Sequence, residues 1–219
     1  MGNDLNNKIG IITFHNSYNC GSMLQAFALQ QVVDRLTGKD SEIIDFSNEG
    51  QQKLYSVRQP NDSLKNVIKN IILAPWFKRI ARNYESYERF KKNNFRLSNF
   101  PIHKSADLSD ADYDIVVAGS DQIWNITIAD GDDAYFLPWV KNARKVAYAP
   151  SFGAKNIMDY AANPNRYAEY LRDFANLSIR ERNGLEWLQN LTGRDADLLL
   201  DPTLLLKRDD YAEIESHEL

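Results

Sequence analysis

Five apolar runs, each too short for a helix of ordinary length, stop abruptly in clusters of polar residues that often include Gly or Pro. This recurrence constrains the fold more than any other property of the chain. The first run, residues 8–14, breaks off in His15-Asn16-Ser17-Tyr18-Asn19-Cys20-Gly21. Apolar residues then return at Met23, Leu24, Phe27, Leu29, Val32, Val33 and Leu36, spaced by threes and fours. The pattern predicts a buried strand, a loop over the edge of a sheet, and a helix from Ser22 to about Leu36 folding back across it. Gly21 would let the chain turn and approach a ligand, Ser22 would cap the helix, and the helix N-terminus would offer N–H groups to an anion. Gly38 is the expected stop.

The device repeats. Residues 113–118 run into Gly119-Ser120-Asp121-Gln122-Ile123-Trp124-Asn125, and residues 145–149 into Pro150-Ser151-Phe152-Gly153. Residues 176–179 run into Arg180-Glu181-Arg182-Asn183-Gly184, and residues 197–200 into Asp201-Pro202-Thr203. Residues 41–46 form a further strand, and helical segments fall near 164–176 and 184–191. Short apolar strands alternating with helices predict an α/β fold with a parallel sheet and helices on both faces. In open parallel sheets ligands bind beyond the carboxyl ends of the strands, so the five clusters would line one polar cleft.

Between the second and third strands the pattern changes. Residues 47–60 are polar and aperiodic, which reads as a surface excursion. Ser63 can cap a helix with apolar positions Leu64, Val67, Ile68, Ile71 and Ile72, ended by Pro75. Residues 76–96 carry seven Lys or Arg against Glu85 and Glu88, with Ile80, Tyr84, Tyr87 and Phe95 interleaved. Such a basic helix is compatible with nucleic acid or an anionic surface; the plainer reading, a solvated helix whose aromatics rest on the domain, is preferred.

Composition narrows the class. The 219 residues are 43% apolar and 26% charged, with a formal charge of −4, as expected of a soluble, cytoplasmic protein rather than a general polyanion binder. A single cysteine, Cys20, excludes an intrachain disulfide and a cysteine-based zinc cluster. The first eight residues are polar and lack the apolar core of a signal peptide, and no apolar run approaches the roughly 18 to 20 residues of a membrane span. No G-x-G-x-x-G follows the first strand, no phosphate-binding G-x-x-x-x-G-K-[ST] occurs, and the three histidines are scattered, so neither a nucleotide cofactor nor a metal is expected.

The clusters offer candidate chemistry, each with a plainer alternative. Arg180 and Arg182 suit phosphate or carboxylate, or pair with Glu181, Glu186 or other acids. His15 suits acid–base work, or bonds its own backbone. Asp121 orients a sugar hydroxyl, or caps the turn after Gly119. Trp124 and Phe152 stack on a sugar ring, or pack. Cys20 lacks an identifiable base.

Taken in order, IGIITFHNSYNCGSMLQAFALQ, VVAGSDQIWN, VAYAPSFG, LSIRERNG and LLLDPTLLL resemble the polysaccharide pyruvyl transferase family over residues 8–206. The resemblance implies a Rossmann-like domain over residues 1–206, similar to the N-terminal half of a GT-B-type two-domain transferase. Residues 207–219 would begin the interdomain linker, with the second domain, which carries an Arg-His pair gripping phosphoenolpyruvate in the family, absent. The implied reaction moves pyruvyl from phosphoenolpyruvate onto two hydroxyls of a glycan acceptor as a ketal, in surface polysaccharide or exopolysaccharide biosynthesis. The alternative is a non-catalytic glycan- or anion-binding module. By resemblance Arg180 is the first anion ligand, His15, Asn16, Asn19 and Gly21 match the first loop, and Ser120, Asp121, Trp124, Ser151 and Phe152 face the acceptor. No residue is assigned as the catalytic acid. Expected partners are the donor, the acceptor, and a C-terminal half or a second copy; nucleic acid is not among them.

Overall fold

The computed structural model describes residues 8–215. In chain order the elements are β1 (Ile9–Ile12), α1 (Cys20–Thr37), β2 (Ser41–Ile43), α2 (Glu49–Leu54), α3 (Leu64–Leu73), α4 (Phe77–Asn94), β3 (Ile115–Ala118), β4 (Arg144–Ala147), α5 (Ile157–Tyr160), α6 (Pro164–Arg172), β5 (Ser178–Ile179), α7 (Arg182–Thr192), β6 (Asp197–Leu198) and α8 (Arg208–Ala212). The strands β2-β1-β3-β4 form one parallel sheet and β5-β6 a parallel pair. Backbone bonds carry the order outward on both sides. Ala147 N–H donates to the Asn176 carbonyl (3.0 Å) and Arg180 N–H to that of Pro150 (3.0 Å), placing β5 beside β4, while Ile43 N–H donates to the Arg96 carbonyl (2.7 Å) beyond β2.

The sheet is covered on both faces, which is why β1 (IGII) and β3 (IVVA) read as unbroken apolar runs. Alternation along each strand sorts the residues. Ile9, Ile11, Ile43 and Val117 pack with Met23, Ala26, Phe27 and Leu29 of α1, with Tyr87 and Phe90 of α4 and Tyr211 of α8 against the same cluster. Ile12, Ile44, Val116, Ala118 and Ala147 face the other way, onto Ala168 and Leu171 of α6 and Leu188 of α7. The chain steps from β1 to β2 on one side and returns to β3 on the other. The topological switch point, where open α/β sheets bind ligands, therefore lies between the carboxyl ends of β1 and β3.

Local signals were correct in kind and displaced in detail. Gly38 ends α1 at φ 64°, a left-handed cap. Ser63 caps α3 by accepting from Asn66 N–H (3.2 Å), as expected. The α1 helix starts earlier than its apolar stripe: Asn19, not Ser22, is the cap, accepting from Gly21 N–H (2.8 Å) and Ser22 N–H (3.3 Å). The second strand stops at Ile43, and the excursion over residues 47–60 contains α2, with Asn48 as its cap. Residues 207–215, expected as linker, include α8, whose Asp210 pairs with Arg35 (2.7 Å) and whose Tyr211 hydroxyl donates to the Thr203 carbonyl (2.7 Å). Residues 1–7 and 216–219 lie outside the described range.

Asp110 fixes the entry to β4. One of its carboxylate oxygens accepts from the N–H groups of Lys141 (2.7 Å), Asn142 (2.5 Å) and Ala143 (3.0 Å). Burial alone would raise this carboxyl, but the backbone donors outweigh it and hold its pKa below the usual value of 3.8. A depressed carboxyl adds stability that is complete above the unfolded-state value and disappears as the pH falls through the folded one. Asp110→Ala is thus expected to cost about 2–3 kcal/mol at neutral pH, measured by urea unfolding. The cost should shrink as the pH is lowered below about 4. An equal cost at all pH values would remove the ionised carboxylate from the account.

Candidate functional site

At the switch point the loops after β1, β3, β5 and β6 enclose a cavity of about 210 Å³ lined by Asn19, Gly21, Ser22, Gln25, Asp121, Arg180, Asp201 and Thr203. These eight residues come from four of the five polar clusters and the first turns of α1. Long-range hydrogen bonds hold the loops together. Ser22 Oγ donates to Asp121 Oδ2 (2.6 Å), joining the start of α1 to the loop after β3. Arg180 Nη1 donates to Asp201 Oδ2 (2.6 Å), joining the loops after β5 and β6. The other Asp201 oxygen accepts from Thr203 N–H (3.0 Å) and Thr203 Oγ1 (2.7 Å).

The loop after β3 adopts an unusual backbone. Asp121 sits at φ 75°, a left-handed conformation uncommon outside glycine, which Asp tolerates better than most residues and which its Oδ1 supports here by accepting from Gln122 N–H (2.7 Å). Gly119, at φ 144°, passes so close to the next strand that a Cβ there would lie 2.0 Å from the Tyr148 carbonyl oxygen. Only glycine fits.

Beneath the cavity lies Gln25, an amide side chain among the apolar residues of α1. It is buried. Its Nε2 donates to Thr13 Oγ1 (2.9 Å) and to the Ser22 carbonyl (2.9 Å), and its Oε1 accepts from Ser120 N–H (3.2 Å). The signal available was an amide among Met23, Leu24 and Phe27, a place that demands internal partners. Gln25→Leu is expected to leave Ser120 N–H unpaired and lower the unfolding free energy by about 2 kcal/mol. A urea midpoint unchanged from the parent chain would sink that role.

The proposed site residues divide into two groups. Arg180, Asn19, Gly21 and Asp121 reach the cavity. Arg180 does pair with an acid, but the acid is Asp201 rather than Glu181 or Glu186. Gly21 lies in the first turn of α1 without a positive φ, so its value is an absent side chain at the cavity wall. The expected anion-ready helix end is altered, because the N–H groups of Gly21 and Ser22 are occupied by the Asn19 side chain.

The rest lie elsewhere. His15 is buried, its Nδ1 3.2 Å from the Thr13 carbonyl oxygen and its Nε2 2.9 Å from Asp45 Oδ1. Burial would raise the Asp45 carboxyl, yet the bond and charge of His15 hold it below the ordinary value. Asn16 Oδ1 accepts from Lys91 Nζ of α4 (2.7 Å). Ser120 and Ser151 are buried, Ser120 Oγ donating to the Ala149 carbonyl (2.7 Å) and Ser151 Oγ accepting from Gly153 N–H (2.9 Å). Trp124 and Phe152 pack against each other in the core, ring centroids 5.5 Å apart. Their loops place them under the cleft because apolar rings this large gain more from full burial than from a polar rim.

Chemically, the cavity holds one guanidinium, two carboxylates, two hydroxyls and two carboxamides. That set suits a hydroxyl-rich ligand with one anionic group facing Arg180, and not a bare polyphosphate. Beside it, burial pushes the Glu181 carboxyl above its ordinary value, offset in part by the Phe152 N–H it accepts (2.8 Å). Among the described residues no group of three or more His, Cys, Asp or Glu is arranged to hold a metal ion, and no helix is long and apolar enough to cross a membrane.

No curated protein and no solved structure is a match for this chain. The family model described as Polysaccharide pyruvyl transferase matches residues 19–218, a range that starts after β1 and takes in every residue lining the cavity. By that match, spanning nearly all of its length, the chain belongs to the polysaccharide pyruvyl transferase family.

Proposed function

We propose that the protein transfers pyruvyl from phosphoenolpyruvate to two hydroxyls of a sugar, closing a cyclic ketal, in the cytoplasmic assembly of a surface polysaccharide or exopolysaccharide. The observation that carries this reading is the cavity's donor set, one arginine amid carboxylate, hydroxyl and amide groups, at the switch point of a chain in this family. In the reaction the enol carbon takes up a proton and becomes a methyl group. Two acceptor oxygens bond to C2, the bond from C2 to the ester oxygen breaks, and inorganic phosphate leaves with the electron pair. Of the two hydroxyl protons released, one replaces the proton taken by the enol carbon and the other goes to phosphate.

Each residue has a part. Arg180, oriented by Asp201, faces the donor's carboxylate or phosphate and stabilises the charge that moves as phosphate departs. Asp121, already accepting from Ser22, accepts a bond from an attacking hydroxyl and sets its direction. Asn19 and Thr203 supply further bonds to the sugar. In this reading residues 1–206 are the Rossmann-like half of a GT-B-type transferase, residues 207–219 lead toward a second half, and that half completes the donor site. Incubation with phosphoenolpyruvate and oligosaccharides, with the chain alone and with a matching C-terminal half, tests it. The expected result is phosphate release and a gain of one pyruvyl mass on the glycan. Glycan binding without turnover in either form would instead assign a binding module.

A further inference from the structure

The α3 helix is amphipathic the wrong way round for a helix that serves the core. Asn70 faces the chain: its Nδ2 donates to the Gln59 carbonyl (2.8 Å) and its Oδ1 accepts from Gln59 N–H (3.0 Å). Its apolar stripe faces outward, with Leu64 76%, Ile68 48%, Ile71 68% and Ile72 61% exposed, and no residue of α3 is buried. Trp76, 52% exposed, continues the stripe through the turn into α4. Contiguous apolar surface of this kind marks a contact with something else.

Charge identifies the occupant. From Leu64 to Tyr84 the chain carries five cations (Lys65, Lys69, Lys78, Arg79, Arg82) and no acid, within a protein whose net charge is −4. None of the five forms an ion pair among the described residues. At helical spacing Lys65 and Lys69 flank the apolar stripe, where long side chains can lay their stems along it and lift their charge to a headgroup. We infer that the segment from α3 into the start of α4 docks on an anionic lipid surface, with the stripe and Trp76 at the acyl boundary and the five cations on the headgroups.

Another occupant fits less well. A second copy would bring two such patches together, setting ten cations side by side with only Asp62 and Glu85 of each copy next to them. The inference is independent of the reaction in the cleft. It does bear on it: α4 is tied to the first loop through Lys91–Asn16 and through Tyr87 stacked on Tyr18 (5.6 Å), so docking would hold that loop near the lipid.

The test is co-sedimentation of the 219-residue chain with vesicles of phosphatidylcholine alone and of phosphatidylcholine mixed with phosphatidylglycerol. Binding is expected to the mixed vesicles, weakened by high salt, and at least about tenfold weaker on neutral ones. Replacing the exposed pair, Ile68→Glu with Ile71→Glu, should reduce partitioning about a hundredfold. Lys65→Gln with Lys69→Gln should reduce it about tenfold while circular dichroism stays unchanged. No binding to anionic vesicles at low salt overturns the inference, as does binding that neither pair alters. A solution dimer that Ile68→Glu with Ile71→Glu dissolves would give the face to a second copy and overturn it equally.

Discussion

Arg180→Ala is expected to lower pyruvyl transfer about a hundredfold, the usual loss when one charged donor to a moving negative charge is removed. Arg180 is the single basic side chain lining the cavity, and Asp201 holds one of its nitrogens at 2.6 Å, so its orientation is set before substrate arrives. Stability should barely change. The pair is partly exposed, 29% and 24%, and ion pairs open to solvent contribute about 0–1 kcal/mol. Asp201 also keeps both bonds from Thr203 when the guanidinium is gone. The unfolding temperature should therefore move by no more than about 2–4 °C. Arg180→Lys keeps the charge but loses the planar fork, and should recover only part of the lost rate. Phosphate release in the presence of acceptor, with phosphoenolpyruvate affinity by calorimetry, reads both variants. If Arg180→Ala leaves rate and affinity intact, the residue serves only to tether Asp201.

Both Arg180 and Asp201 fall in polar clusters after strands, and why sequence does not pair them is a matter of range. The strand β5 ends at Ile179, so Arg180 is placed at the cleft by local pattern alone. Its partner lies 21 residues on, beyond α7 and β6, and no spacing rule joins them. The cap of α1 shows the same limit over 99 residues. Asn19 and Ser22 are both good caps and stand three residues apart. What decides between them is Asp121 in the loop after β3, which takes the Ser22 hydroxyl and leaves the cap to Asn19.

The strands were legible for the opposite reason. A sheet buried on both faces demands apolar residues at nearly every position, so β1 and β3 announce themselves without reference to partners, whereas β4 opens on Arg144 and Lys145 and is apolar only at Val146 and Ala147. The run over residues 197–200 was read as a strand on the same ground, but only Asp197 and Leu198 pair, and both are exposed at the sheet's end. Periodicity established the α3 helix yet not the direction of its stripe. A repeat of three and four fixes which residues share a face, and tertiary contact alone fixes where that face points.

Trp124 is the sharpest case, and its substitution separates the two readings of the loop after β3. An indole in a polar cluster at a cleft edge invites a sugar-stacking role. In the fold it is fully buried, stacked on Phe136 (5.7 Å, 12°) and edge-on to Phe174 (5.8 Å, 81°), with Nε1 donating to the Tyr135 carbonyl (3.1 Å). Trp124→Ala is accordingly expected to cost about 3–5 kcal/mol. That loss should lower the unfolding temperature by about 10 °C or more. Trp124→Phe keeps the ring contacts but strands the Tyr135 carbonyl, for about 1–3 kcal/mol, with acceptor KM unchanged in the folded enzyme. A stacking platform would show the reverse: Trp124→Phe near parental stability, with KM for the acceptor raised. The phenylalanine variant decides the matter even if the alanine variant does not fold, because the lost bond lies in the core and a lost platform would lie in the cleft.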